Sequence, residues 1–153
     1  MDASQVILLV VEIIAFTAVV IGVVFVVAFL GVRGLANRVI SDMQARYPNA
    51  RLIVKNASFF GQESLGVTQG RGNGTLVIAD RELVFVRWLP RKEYVVPLKS
   101  ITGLETPSSF LGKTRFTPLL KVNFTNDSGQ PDSMAWQVAN LGDVKTALES
   151  AMR

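Results

Sequence analysis

GTLVIADRELVFVRWLPRKEYVVPLKSITGLE, residues 74–105, holds four short apolar runs parted by turn residues. Runs this short, rich in Val, Ile, Leu and Phe and bounded by Asp, Pro and Gly, predict antiparallel strands rather than strand–helix–strand units. The expected strands are 75–79, 83–88, 93–97 and 101–105. Working outward, 64–69 precedes them and 119–125 and 133–138 follow, which makes seven. Asn73 and Gly74 offer the positive φ angles of a tight hairpin turn. Lys121, Asn123 and Thr125 alternate with Val122 and Phe124, the pattern of a strand with one wet face. Residues 83–86 are apolar on both faces, so this strand is either covered twice or offers a surface to a partner. The chain closes in a helix whose Leu141, Val144, Leu148 and Ala151 share a face, with Asn140 placed to cap its start.

Upstream lies a stretch of another kind. Residues 6–32, VILLVVEIIAFTAVVIGVVFVVAFLGV, carry one charge, Glu12, and no proline. A hydrocarbon core about 30 Å thick needs roughly 20 apolar residues in helix, so the run is long enough to span with tilt. Before it stand residues 1–5, with Asp2 and neither Lys nor Arg; after it come Arg33, Arg38, Arg46, Arg51 and Lys55 against Asp42 alone. This asymmetry predicts a single-pass protein of the cell membrane with a short extracytoplasmic N-terminus and a cytoplasmic C-terminal domain. A basic start and a small-residue cleavage site are both missing, so the span is expected to be retained.

Glu12 has two readings. Either the span begins at Ile13 and the carboxylate lies near headgroups, or Glu12 meets a polar group on a partner helix. Ala15, Ala18 and Gly22 lie on one helical face, and the Ala18-to-Gly22 spacing permits close helix approach, so self-association or another membrane protein is the expected neighbour. Leu35, Val39, Met43 and Tyr47 recur every fourth residue, which predicts that helix continues to about Tyr47 before Pro48 stops it. Residues 33–62 then read as juxtamembrane helix and linker, and 63–153 as the domain. The basic residues after the span are either a topology signal on a solvated face or an attraction to anionic lipid.

Histidine and cysteine are absent from all 153 residues. That removes the commonest general base, the thiol nucleophile, the soft ligands of structural zinc and any disulfide framework. No catalytic residues, no metal ligands, no cofactor and no small-molecule substrate are expected. Nucleic-acid binding is set aside because the basic excess is modest and juxtamembrane. Asn56, Asn73, Asn123 and Asn126 each begin an N-x-S/T triplet, read here as turn chemistry and polar strand faces.

Gly74, Leu76 and Ile78 at alternate positions, then Leu83 and Phe85, then Val96-Pro97-Leu98 followed by Ile101 and Leu104, resemble the GRAM and bacterial PH-like domain pattern. Gly112-Lys113-Thr114, Pro118-Leu119-Leu120 and Ala135-Trp136 before the final helix are similar to the bacterial version. The resemblance covers about residues 64–152. It implies a mainly β fold, a seven-stranded split barrel of two orthogonal sheets capped by the C-terminal helix, and a role in binding lipid headgroups or proteins.

Under that implication, Arg71, Arg87, Trp88, Arg91 and Lys92 gather at one end of the barrel as a candidate lipid or partner contact. The alternative is an ordinary solvated hairpin with Trp88 packed inward. Lys113 and Arg115 form a second basic pair on a long loop. Three roles follow as expectations: a membrane-anchored scaffold engaging a protein partner, an anionic-lipid headgroup sensor, and a small accessory subunit of a larger membrane complex.

Overall fold

The structure, a computed structural model, describes residues 2–153, so Met1 of the expected N-terminal segment lies outside the described residues. The chain divides into two compact units that meet in sequence between Leu35 and Ala36. One helix, α1 (Ala3–Arg46), contributes residues to both.

In the first unit every described residue to Leu35 is exposed, including Phe16 and Phe25 at 72% each. The helix is long and apolar enough to cross a membrane, with a mean hydropathy of 3.1 over its best window. Thr17, a hydroxyl in this run, donates to the Ile13 carbonyl at 2.7 Å and so needs no outside partner.

The second unit is built on β1 (Leu52–Gln62), β2 (Gly72–Ile78), β3 (Glu82–Arg87), β4 (Lys92–Pro97), β5 (Ile101–Glu105), β8 (Leu120–Thr125) and β9 (Pro131–Val138). They form one antiparallel sheet in the order β4-β3-β2-β1-β9-β8-β5. A two-stranded ribbon, β6 (Ser109–Phe110) with β7 (Lys113–Thr114), and a closing helix, α2 (Leu141–Ala151), complete it.

The sheet is strongly curved. Phe59 on β1 and Tyr94 on β4 are three strand positions apart, about 14 Å across a flat sheet, yet their ring centroids are 4.8 Å apart. Phe85 on β3 and Trp136 on β9, equally distant in the order, stand 5.8 Å apart. Curling brings all seven strands onto one core, and α2 covers it with Val144 and the fully buried Leu148. Strands β4 and β5 stand at the two ends of the order with no ladder between them. Six of the seven expected strands and the final helix are thus present, the seventh place being taken by β1, while pairing leaves the sheet open rather than closed as a barrel.

The outer face has two separate covers. Val39 and Met43, from the last turns of α1, pack on Val77, Val84 and Val86 of β2 and β3. The apolar strand 83–86 is therefore covered on both faces. Elsewhere Phe110 of the ribbon and Leu119 pack on Phe60 and Ala135 of β1 and β9.

Several local expectations are corrected. Residues 56–62 are not a linker but the second half of β1, which belongs to both halves of the sheet: it pairs with β2 over Leu52–Phe59 and with β9 over Ala57–Gln62. Residues 64–69 are not a strand. Glu63–Leu65 form a 3₁₀ turn, and the Gln69 amide ties the loop by donating to the carbonyls of Gln62 (2.5 Å) and Gly66 (2.7 Å). Asn73 and Gly74 lie within β2 rather than in a turn. Gly74 serves close packing: a Cβ there would stand 2.3 Å from the Val86 carbonyl oxygen and 2.5 Å from the Phe85 ring. Asn140 precedes α2 in the left-handed region (φ 53°), and its side chain makes no capping bond. Helix α1, by contrast, ends at Arg46 as expected, since Pro48 disfavours helical geometry in its predecessor Tyr47.

Candidate functional site

The turn after β3 and the start of β2 lie side by side, because the Trp88 amide donates to the Asn73 carbonyl at 3.0 Å, just beyond the Gly74–Arg87 pair. This places Arg71, Arg87, Trp88, Arg91 and Lys92 at one end of the sheet. Alternation then divides them. Leu83 and Phe85 face the core, so Arg87 shares their face, and Lys92, its partner in register, shares the face of Tyr94 and Val96. The Arg87 stem lies over Gly72, where an added Cβ would come within 2.5 Å of it, and Nε donates to the Pro90 carbonyl at 3.1 Å. Lys92 Nζ sits 4.8 Å from the Tyr94 ring centroid. Arg71 stacks 4.6 Å from the Phe60 ring and donates to the Thr114 carbonyl at 3.2 Å.

Trp88 belongs to the other face. It is half-buried against the Val39–Met43 cluster, and its Nε1 donates to Thr75 Oγ1 at 3.1 Å. Arg91 Nη2 donates to Asp42 Oδ2 at 2.6 Å. Only Leu89, 63% exposed, projects from this hairpin as an apolar tip. The expected basic cluster thus becomes a pair on the core-side mouth, Arg87 and Lys92, a pair engaged with the end of α1, Trp88 and Arg91, and Arg71 turned to Phe60 and the ribbon.

The basic residues after the apolar run are also divided. Arg33 stacks on Phe29 within the first unit, 4.6 Å from the ring. Arg46 Nη1 donates to both Glu93 oxygens at 2.8 and 3.0 Å. Partial burial opposes the Arg46 charge, but Glu93 outweighs it and raises the pKa. Arg51 reaches Asp80 at 3.7 Å and the Ser150 carbonyl at 3.3 Å. Arg38 and Lys55 are exposed. Under the Arg46 guanidinium, 5.1 Å from the ring, the Tyr47 hydroxyl donates to Glu82 at 2.6 Å, and burial together with that carboxylate pushes the phenol up to about 12. Glu12, Ala15, Ala18 and Gly22 are all exposed on the first unit, and nothing lies within 4 Å of a Cβ built on Gly22.

A polar knot holds the loop after β1. Asp132, 5% exposed, accepts from Gln62 Nε2 (2.5 Å), from the Ser64 hydroxyl (2.6 Å) and amide (2.9 Å), and from the Ser133 amide (2.8 Å). Burial works to raise its carboxyl, yet these donors outweigh it and hold the pKa below the ordinary value.

On the outer face the strands leave a groove of about 340 Å³ lined by Asn56, Ser58, Asn73, Arg115 and Gln137, with Val138 and Ala139 beside them. Ser58 pairs in register with Asn73 on one side and Gln137 on the other, so the three side chains form a row across β2, β1 and β9. Residue-by-residue reading missed this row, since it exists only once the register is known. Asn56 and Asn73, noted for their triplets, are thereby polar strand residues, while Asn126 accepts the amides of Ser128 and Gln130 in the β8–β9 turn.

Scanned against family models and against curated proteins, the chain matches none. Among solved structures it is similar in shape to the C-terminal domain of an unknown protein from Leishmania infantum, at 14% identity and a TM-score of 0.48, covering 63% of this chain and 78% of that one. It is also similar to a chain of Vav1 inhibited by an allosteric inhibitor, at 11% identity and a TM-score of 0.47, covering 71% of this chain and 28% of the Vav1 chain.

Proposed function

We propose that this chain is a membrane-anchored, non-catalytic binding module, in which residues 6–32 cross the bilayer and residues 36–153 form a PH-like split barrel on the cytoplasmic side that engages a protein partner. The observation that carries the reading is the contrast in surface: an apolar helix exposed on every side beside a β domain whose own apolar faces are covered. Strand order, the single curved core and the C-terminal helix support the PH-like assignment alongside the motif resemblance. A tether already gives high local concentration at the bilayer, so further lipid affinity would add little, which favours a protein as the partner. Strand 83–86 drops out as the contact surface because α1 covers it. The Glu12 to Gly22 face and the outer groove remain.

The test is gentle extraction of the full-length protein from its native membrane after crosslinking. Partners recovered at constant ratio are expected; a lone monomer would sink the reading. A second reading, an anionic-lipid sensor, is favoured by Leu89 exposed at the tip between basic residues. It requires flotation on anionic vesicles that Arg87→Glu/Lys92→Glu abolishes.

A further inference from the structure

The outer groove has the makings of a recognition site apart from the basic mouth. Ser58 is 8% exposed, and its hydroxyl opens into the groove without a hydrogen-bond partner among the described residues. Asn56 and Asn73 bring carboxamides that are likewise free, and Gln137 keeps its carbonyl oxygen while its Nε2 donates to Thr117 Oγ1 at 2.9 Å. That bond pins the loop carrying Arg115 and Phe116 to β9. Arg115 has no carboxylate within ion-pair distance among the described residues, and the lining includes no Asp or Glu. Next to Arg115 in the chain, outside the groove's lining, Phe116 is 94% exposed and sits at φ 59°, a left-handed conformation that non-glycine residues rarely adopt, with its amide donating to Thr114 Oγ1.

These groups discriminate between ligand classes. A phosphoryl group is met best where donors and cations converge on its oxygens, whereas this groove holds one guanidinium among carboxamides that donate and accept equally. Mixed donors and acceptors suit peptide groups, a single cation suits one carboxylate, and an exposed ring suits an apolar side chain.

We propose that the groove takes a short acidic peptide segment of a partner protein, its carboxylate on Arg115, its polar backbone on the Asn73–Ser58–Gln137 row with Asn56, and a neighbouring apolar side chain on Phe116. This names the chemistry of the partner in the protein-binding reading above and rests on it.

The experiment pans the full-length chain, held in phosphatidylcholine nanodiscs, against a display library of random heptapeptides. The affinity of an enriched peptide is then measured by fluorescence anisotropy. Enriched sequences are expected to carry Asp or Glu beside a Leu, Ile or aromatic residue. Arg115→Glu, on an exposed loop, should weaken binding at least tenfold, and exchanging the peptide's acid for Lys should restore binding to that variant. Asn73→Asp supplies an independent variant on the strand, with weakening in the same direction. The proposal fails if no sequence is enriched, if Arg115→Glu binds as well as the parent, or if millimolar inorganic phosphate displaces the peptides, which would mark a phosphoryl site. A partner that co-purifies equally with the Arg115→Glu chain would remove the groove while leaving the binding-module reading in place.

Discussion

Two stretches of α1 share one backbone geometry and differ in everything their side chains meet. As far as Leu35 each described residue is exposed and nearly all are apolar, whereas from Ala36 to Arg46 only Ala36, Val39 and Met43 are buried, with charged residues on the other sides. Helix formation therefore does not decide the solvent. The width of the apolar face does: all-round apolarity suits lipid, and a stripe at every third or fourth position suits a protein surface.

The comparison breaks most sharply by placing a charge in each stretch. Met43→Asp buries an unpaired carboxylate against Val77, Val84 and Val86, and the full chain in detergent should lose its cooperative unfolding, followed by the fluorescence of Trp88 and Trp136. Val24→Asp should leave that transition where it was. Trimming Met43 to Ala should cost about 2–5 kcal/mol by cavity formation, read as a shift in the denaturation midpoint.

A control remote from the helix is Asp132→Ala, expected to cost about 1–3 kcal/mol because it strands donors of the buried loop. Its carboxyl is lowered in the fold, so its stabilisation is fully present above the unfolded value near 3.8 and is lost as pH falls below it. The acid limb of the stability profile should therefore flatten in this variant.

At the helix end, Tyr47→Phe should cost about 1 kcal/mol for the bond to Glu82. The phenol is raised in the fold, so this contribution is intact below about pH 10 and disappears as pH climbs through about 12; absorbance at 295 nm follows it. Smallest of all, Arg91→Ala should change stability by less than about 1 kcal/mol, since its pair with Asp42 is more than half exposed on both sides, and the effect should shrink further in high salt.

The strands of residues 74–105 were legible because alternation and turn residues agree there. Strand β1 was not, for a physical reason: bulges between Val54 and Ala57 and between Phe59 and Gly61 break the two-residue period and leave Lys55 and Asn56 exposed side by side, as in a loop. Gly74 misled in the opposite sense, because a glycine needed for close approach looks in sequence like one needed for a turn. At the basic end, proximity was legible and orientation was not. Arg87 and Trp88 are neighbours in sequence and so point to opposite faces of the sheet. The cover that α1 lays over β3, and the row across β2, β1 and β9, depend on contacts distant in sequence.

The pairing of β1 with β9 bears on how the protein is made. Strands β1 to β4 follow one another as neighbours, whereas Ala57 finds its partner only at Val138. A ribosome must therefore extend the chain past Val138 before the second half of β1 can close. Until then the four-stranded meander exposes Phe59, Leu76, Phe85 and Tyr94, residues that end in the core. Helix α2, the lid of the core, follows every strand in the chain, so a nascent chain passes through an aggregation-prone interval whose length is set by the rate of translation.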